Sequence, residues 1–159
     1  MELYTAIETR RTIRGFTKPA TEAQLLKIIR AGTRAISAGN CQPWEFIIVD
    51  GPELIEQIAE HKYQANLAGG RPKDECQVQK ECYKNCSIVA VCNVKGHGQA
   101  VSAWMCIQNM ALAATAEGLG CVPSTFGGAF QQQVGQFLGL PDAAEVATIM
   151  LIGVQKGYV

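Results

Sequence analysis

Three arginines and a threonine stand within a stretch of five residues, Arg10-Arg11-Thr12-Ile13-Arg14. In an extended segment the side chains alternate between two faces, so Arg10, Thr12 and Arg14 are expected to project together. Two guanidinium forks and a hydroxyl on one face suit the oxygens of a phosphate group. A solvated basic segment without a ligand fits the same residues, and the sequence leaves both interpretations open.

A second polar stretch stands just before a predicted strand and has the sequence Ser37-Ala38-Gly39-Asn40-Cys41-Gln42-Pro43-Trp44. It combines a hydroxyl, on Ser37, with the amides of Asn40 and Gln42. Amide side chains both donate and accept, which suits the polar edge of a heterocycle. An ordinary turn leading into a strand has a similar composition, and Trp44 alone is more typical of a core residue.

With these two segments the chain resembles the nitroreductase family of flavoproteins. The family opens with a run of the type R-R-S-x-R-x-F, then a helix, then S-x-x-N-x-Q-P-W. The likeness covers nearly the whole chain in the right order, because it continues in Ile107–Ala114, Gly118–Gly120, Gly127-Gly128 and Leu138–Pro141.

The resemblance implies an α+β fold, a three-layer sandwich in which helices flank a central mixed sheet. It implies one nitroreductase-like flavin-binding domain over residues 1–159 and a swapped homodimer with FMN at each subunit interface. By this resemblance, the phosphate and the ribityl chain would be held by Arg10, Arg11, Thr12 and Arg14. Ser37, Asn40 and Gln42 would approach the flavin from the partner subunit, and Gly127 and Gly128 would bring backbone near its reactive edge, where a Cβ would intrude.

By the same likeness the chain passes a hydride from NAD(P)H through FMN to an electron-poor acceptor such as a nitroaromatic or a quinone. Because the flavin carries the redox chemistry, no side chain is named as catalytic. Two alternatives stay open. One is a flavin-binding redox sensor that signals through its cysteines with little turnover, and the other is an FMN enzyme that dehalogenates its substrate or fragments the flavin.

The chain departs from the family pattern in three places. Cys41 replaces a small hydroxyl residue often found there. The stretch from Gly51 to Asn85 is short and cysteine-rich compared with longer members, which often carry a lid and another polar flavin contact. The segment Gly153–Val159 lacks the usual basic tail, which Lys156 would replace in part. We therefore expect weaker FMN binding than in relatives with that tail.

The seven cysteines include no C-x-x-C pair. Cys76, Cys82, Cys86 and Cys92 are close enough in sequence for a thiolate site to be considered, with Cys82 and Cys86 on one helix face. Their spacing matches no familiar ligand pattern, so buried thiols and no metal site are predicted.

Composition narrows the class of protein. Apolar residues make up 48% of the chain, and its 14 basic and 14 acidic residues balance. That composition is globular and lacks the basic surface of a nucleic-acid binder. No apolar run approaches the ~20 residues of a membrane span, and no secretory signal opens the chain, so a cytoplasmic location is expected.

Apolar spacing predicts the elements that hold these residues. Glu2–Thr9 is a short helix with Leu3 and Ile7 on one face, and a Thr21/Gln24 capping box opens a helix that runs to about Arg34. Gln64 to Pro72 is predicted to be loose. The longest apolar helix is expected from Gln99 to Glu117, and the strands are expected at Trp44–Val49, Ser87–Asn93 and Val146–Val154, with the second of these buried on both faces.

Overall fold

Six helices and five strands lie along residues 1–157, the part of the chain that the computed structural model describes. The helices are α1 (Leu3–Thr9), α2 (Glu22–Gly32), α3 (Pro52–Ala68), α4 (Lys73–Glu81), α5 (Gln99–Ala116) and α6 (Gly128–Phe137). The strands are β1 (Phe16–Pro19), β2 (Trp44–Val49), β3 (Ser87–Val94), β4 (Gly120–Ser124) and β5 (Ala144–Gln155), and a short 3-10 turn covers Ala38–Asn40. Residues 158 and 159, the end of the segment expected to lack a basic tail, lie outside the described residues.

The sheet is organised around β5, which pairs with β1, β3 and β4, while β3 also pairs with β2. All of these strand pairs are antiparallel, so the expectation of a mixed sheet was wrong in this detail. Among the described residues the parallel component is a single isolated bridge between Thr12 and Cys121. β3 is buried on both faces, as predicted, because helices cover both sides of the sheet and β2 and β5 flank it.

Helices pack against both faces of the sheet, which confirms the α+β sandwich. Alternate residues of β5 enter different cores, since Met150 packs with the residues of α2 and α5 while Ile149 packs with those of α3 and α6. Ile28 of α2 and Ile58 of α3 are completely buried on these two opposite faces. This alternation follows from the two-residue repeat of a strand.

Two local predictions about the helices had different outcomes. The capping box of α2 is confirmed, because the Thr21 hydroxyl accepts from the Gln24 N–H at 3.3 Å and the Gln24 side chain accepts from the Thr21 N–H at 3.0 Å. The prediction that the chain is loose from Gln64 was wrong, because α3 continues to Ala68. Its last turns are held by packing, since α4 lies against α3 and Lys80 bonds to Glu60 at 2.9 Å.

Part of the apolar surface is left exposed on two adjoining helices. α1 packs against α5 through Ala6, while Leu3 and Tyr4 are 62% and 79% exposed. On α5 the exposed apolar side chains are Val101, Trp104 and Met105. We call these residues, together with Ile7 of α1, the apolar face.

None of the helices described here is both long enough and apolar enough to cross a lipid bilayer.

Candidate functional site

The arginine segment, Arg10–Arg14, is an extended strip between α1 and β1. It is fixed at Ile13, whose N–H donates to the Cys121 carbonyl at 3.0 Å. Just beyond it, the Lys156 N–H donates to the Gly15 carbonyl at 2.9 Å. The segment therefore lies beside the first residues of β4 and the last residues of β5.

Thr12 and Arg14 line one cavity of about 210 Å³, and Lys156 closes it from the end of β5. The prediction that Arg10 projects together with these two residues was wrong, because Arg10 lies outside the cavity. We call this the cationic pocket. Ile13 and Gly15 complete its lining, so it contains two cations and a hydroxyl but no carboxylate. Among the described residues, neither Arg14 nor Lys156 forms an ion pair. The donors in this pocket are therefore free for an anion from solution.

Arg10 and Arg11 do not line this pocket. Arg11 turns back onto α1, where its guanidinium donates to the carbonyls of Glu8 at 2.6 Å and Arg10 at 2.8 Å. Arg10 is half-buried on the side of Cys121: burial raises the pKa of that thiol to about 11, and the Arg10 charge opposes the rise. In the single chain, therefore, Arg14 faces the pocket, whereas Arg10 and Arg11 face β4 and α1.

The second predicted segment, Ser37–Gln42, forms a tight polar loop that we call the amide segment. The Ser37 hydroxyl accepts from the Gln42 N–H at 3.1 Å, and the Gln42 amide donates to Asn40 Oδ1 at 3.4 Å. Asn40 and Gln42 have positive φ angles of 55° and 47°. Asn tolerates this region, whereas for Gln it is strained, and such strain concentrates at functional sites.

The first turns of α5 hold the amide segment in place. The Ser102 hydroxyl accepts from the Ala38 N–H at 3.2 Å and donates to the Gly98 carbonyl at 3.1 Å. The Cys41 thiol donates to Gln99 Oε1 at 3.0 Å. A cavity of about 350 Å³ beside the loop is lined mostly by apolar groups, from Ile36, Ser37, Ala38, Gly98, Val101, Ser102 and Met105.

The arginine and amide segments lie at opposite ends of the sheet. Phe16 pairs with Gln155 at the end of β5, whereas Trp44 pairs with Asn93, which pairs with Glu145 at the start of β5. The 12 residues of β5 span roughly 37 Å at the usual rise of a strand. One chain alone therefore does not bring its two candidate segments together around a small molecule.

The predicted glycines lie in a third place, the turn between β4 and α6. Gly127 and Gly128 are exposed, and nothing lies within 4 Å of the position that a Cβ would take on either. Gly128 has a φ of +51°, which favours glycine. A flat ligand could therefore lie directly against the backbone of this turn.

The structure adds Lys62 of α3, which the sequence analysis missed. Its ammonium donates to the Thr125 carbonyl at 2.5 Å and lies 5.1 Å from the centre of the Phe126 ring. Burial lowers the pKa of Lys62, and the nearby Arg71 charge lowers it further. The available signal was periodicity, since Ile58, Lys62 and Asn66 share one face of α3 and Ile58 and Asn66 are buried.

The cysteines are not arranged for metal binding. No group of three or more His, Cys, Asp or Glu side chains within residues 1–157 is placed to hold a metal ion. Burial raises the pKa of Cys86, Cys92 and Cys106 to about 12. Thiols with so little thiolate at neutral pH are poor ligands and poor nucleophiles.

Comparison with known proteins identifies a family that matches nearly the whole chain and a curated relative that matches a third of it. A model of the nitroreductase family matches residues 7–158. An NADH dehydrogenase/NAD(P)H nitroreductase of Archaeoglobus fulgidus is 40% identical over 55 residues, 34% of this chain and only 32% of that relative. The match thus spans about a third of the relative's length.

Solved structures share the fold over nearly its full length. A crystal structure of an NADH dehydrogenase/NAD(P)H nitroreductase from Parabacteroides distasonis superposes with a TM-score of 0.82 and 25% identity, covering 99% of this chain and 89% of that one. An FMN- and NADPH-dependent nitroreductase from a Sphingopyxis strain has a TM-score of 0.77 and 21% identity, with 98% and 89% covered.

Proposed function

The chain belongs to the nitroreductase family, and from that membership we propose that it is an FMN-dependent oxidoreductase with NAD(P)H as its electron donor. The observation that carries the proposal is the cationic pocket, in which Thr12, Arg14 and Lys156 present donors with no carboxylate to neutralise them. Such a pocket suits the dianionic phosphate that distinguishes FMN from riboflavin. The FMN and NADPH dependence of the Sphingopyxis relative supports the same cofactor and donor.

The residues present fit this cofactor. A phosphate needs charge-assisted donors to replace its water, and Arg14 offers a fork, Lys156 an ammonium and Thr12 a hydroxyl. The exposed turn at Gly127 and Gly128 allows a flat ring to approach the backbone. Arg10 and Arg11 lie outside the pocket, and Arg11 would have to release the carbonyls of Glu8 and Arg10 to reach the phosphate or the ribityl chain.

We further propose that the active form is a homodimer with two composite sites. The amide segment attaches to the start of α5, and the arginine segment lies beside β4, which follows the end of α5. In a two-fold dimer whose α5 helices run antiparallel, the amide segment of one subunit reaches the arginine segment of the other. The apolar face, on α1 and the outer side of α5, supplies the surface for this contact.

Bound flavin would supply the hydride and electron transfer that no side chain here offers. The roles of the chain are to bind the flavin and to orient its ring. Ser37, Asn40 and Gln42 of one subunit present a hydroxyl and two amides to the polar edge of the ring. The exposed backbone at Gly127 and Gly128 would hold the ring from the same chain as the arginine segment. No side chain is assigned as an acid or a base.

The acceptor is proposed to be an electron-poor aromatic compound, a nitroaromatic or a quinone, bound where the nicotinamide leaves. Ile36 and Ala38 line the apolar cavity next to the amide segment and are not part of the apolar face assigned to the dimer contact, so they offer a surface for a flat, weakly polar molecule. The cysteine-sensor alternative is disfavoured, because Cys82, Cys86, Cys92, Cys106 and Cys121 all have raised pKa values caused by burial.

The test is anaerobic reduction of the FMN-loaded protein by NADH or NADPH. The reduction is monitored as loss of the visible absorbance band of the flavin. We expect the band to bleach with at least one nucleotide and to return when a nitroaromatic or a quinone is added. Arg30 is an exposed cation that does not line the pocket, so Arg30→Ala serves as the control and should behave as wild type. A loaded protein whose flavin neither nucleotide bleaches would refute the proposed activity.

A further inference from the structure

Two consecutive residues of α3 hold the turn between β4 and α6 at both of its ends. His61 Nε2 lies 2.9 Å from the Phe130 carbonyl, and Lys62 Nζ lies 2.5 Å from the Thr125 carbonyl. Gly127 and Gly128 lie between these two carbonyls in the chain. The pair therefore connects both ends of the glycine turn to α3, whereas the elements that the turn itself joins are β4 and α6.

The ring of Phe126 is held between the same two side chains. It is stacked on the His61 imidazole with centroids 5.9 Å apart, and the Lys62 ammonium lies 5.1 Å from its centre. The imidazole also contacts the rings of Phe130 at 5.0 Å and Phe137 at 5.2 Å. The residue immediately before Gly127 is thus fixed by aromatic packing and a cation–π contact.

The turn has few other restraints. Gly127 and Gly128 carry no side chains, and the N-cap of α6, Gly127, offers no side-chain hydrogen bond to the first turn. Two glycines in sequence leave the backbone more conformations than any other pair. Within the turn the Phe130 N–H donates to the Gly127 carbonyl at 3.1 Å, and just before it the Tyr83 hydroxyl donates to Ser124 at 2.8 Å. The side chains that bond to the turn's own carbonyls at Thr125 and Phe130 come from α3.

The chemistry of each contact is specific. A backbone carbonyl only accepts, so His61 must carry a proton on Nε2 to bond to Phe130. Lys62 has no carboxylate partner within the described residues, although a half-buried cation usually needs one. The Lys62 ammonium instead donates to the Thr125 carbonyl at the edge of the turn. A residue that served only to pack the core would not need a charged group there.

We propose that His61 and Lys62 are positioning residues that set the Gly127–Gly128 turn at its working distance from the flavin ring. This inference rests on the proposed function, because it takes the flavin to lie against that turn. In this proposal His61 and Lys62 affect binding of the flavin ring, whereas Arg14 and Lys156 bind the phosphate. The two groups of residues should therefore affect different parts of the ligand.

Matched substitutions separate a positioning role from a packing role. His61→Phe keeps an aromatic ring and loses the donor, whereas His61→Gln places an amide N–H near the position of Nε2. Lys62→Met keeps the stem and loses the charge, whereas Lys62→Arg keeps a cationic donor. The measurements are titrations with FMN and with riboflavin, the absorbance maximum of the bound flavin, and hydrogen exchange of amides 126–130 in the flavin-free protein.

We expect His61→Phe and Lys62→Met to weaken FMN and riboflavin by the same factor, about three- to tenfold. The absorbance maximum of the bound flavin should shift, and the amides of the turn should exchange faster before any flavin is added. Lys62→Arg and His61→Gln should recover most of each effect. Arg14→Ala should instead weaken FMN far more than riboflavin.

The inference is overturned if the turn amides exchange at the wild-type rate and the bound flavin keeps its affinity and spectrum. It is also overturned if the substitutions act on FMN alone, as a phosphate contact would. In both outcomes wild type still binds FMN, so the proposed function survives. Wild-type protein that binds neither flavin would instead overturn both. If His61→Phe does not fold, the Lys62→Met and Lys62→Arg pair decides the question.

Discussion

The backbone N–H of Lys156 donates to the carbonyl of Gly15 at 2.9 Å, which joins the end of β5 to the end of the arginine segment. This bond brings a lysine distant in sequence beside Arg14, around one cavity. The two cations nevertheless differ in kind, since a guanidinium offers a planar fork of donors and an ammonium a compact point charge.

Arg14→Ala should therefore weaken FMN binding more than Lys156→Ala. Loss of charge-assisted hydrogen bonds from the fork is expected to cost about 10- to 100-fold in affinity, and loss of the lysine less. Fluorescence quenching of FMN measures both, with Arg30→Ala as the control for removing an exposed cation. Equal losses for the two pocket variants would show that the fork has no special role.

Mixed dimers should recover sites that each variant dimer lacks. If the amide segment serves the flavin of the other subunit, a heterodimer of Arg14→Ala and Asn40→Ala chains contains one intact site and one doubly altered site. We expect unfolded and refolded mixtures to regain up to about a quarter of wild-type FMN sites under random pairing, while each variant alone stays weak. A flavin-loaded monomer in sedimentation would contradict the composite site.

Lys62 should make stability depend on pH in the alkaline range. Burial lowers the pKa of Lys62 from its usual 10.5, so between the lowered pKa and 10.5 the unfolded chain binds more protons than the folded chain. The free energy of unfolding contributed by this group therefore rises as pH increases through that window. Burial raises the pKa of Cys86, Cys92 and Cys106, so those thiols lower the free energy of unfolding as pH rises through the same range. The Lys62 contribution is therefore measured as a difference: in denaturant unfolding from pH 7 upward, the stability of wild type relative to Lys62→Met should rise. Parallel curves for the two proteins would refute it.

Thiol labelling should find a single fast cysteine. Cys41 is the exposed cysteine, whereas burial raises the pKa of Cys92 and Cys106 to about 12 and of Cys121 to about 11. Because the thiolate reacts, the flavin-free protein at pH 8 should be labelled rapidly once, and the remaining thiols should react only on unfolding. Cys41→Ser should remove the fast phase. Rapid labelling of several sites in the folded protein would reopen the cysteine-sensor alternative.

Local patterns in the sequence predicted local structure well. The capping box at Thr21 and Gln24 and the strand Trp44–Val49 are both found where they were predicted, because each depends on a few neighbouring residues. Both features need no knowledge of which elements meet. Strand alternation predicted the arginine segment only in part, since Thr12 and Arg14 share a pocket but Arg10 does not line it and Ile13 does.

Long-range pairing was the part that the sequence could not supply. The antiparallel pairing of β3 with β5 depends on register between distant strands, and a continuous apolar run is compatible with either direction. The same holds for His61 and Lys62, whose partners at Thr125 and Phe130 lie more than 60 residues away. Their roles depend on the packing of α3 against α6, which no spacing within α3 reveals.

The central claim, that this chain binds FMN through its phosphate at the cationic pocket, is tested most directly by titrating the flavin-free protein with FMN and with riboflavin. Quenching of flavin fluorescence gives both dissociation constants at low and at high salt. We predict that FMN binds at least about tenfold more tightly than riboflavin, with a difference that narrows moderately as salt increases. Equal affinity for the two flavins would contradict the account, because the pocket formed by Thr12, Arg14 and Lys156 would then not be a phosphate site.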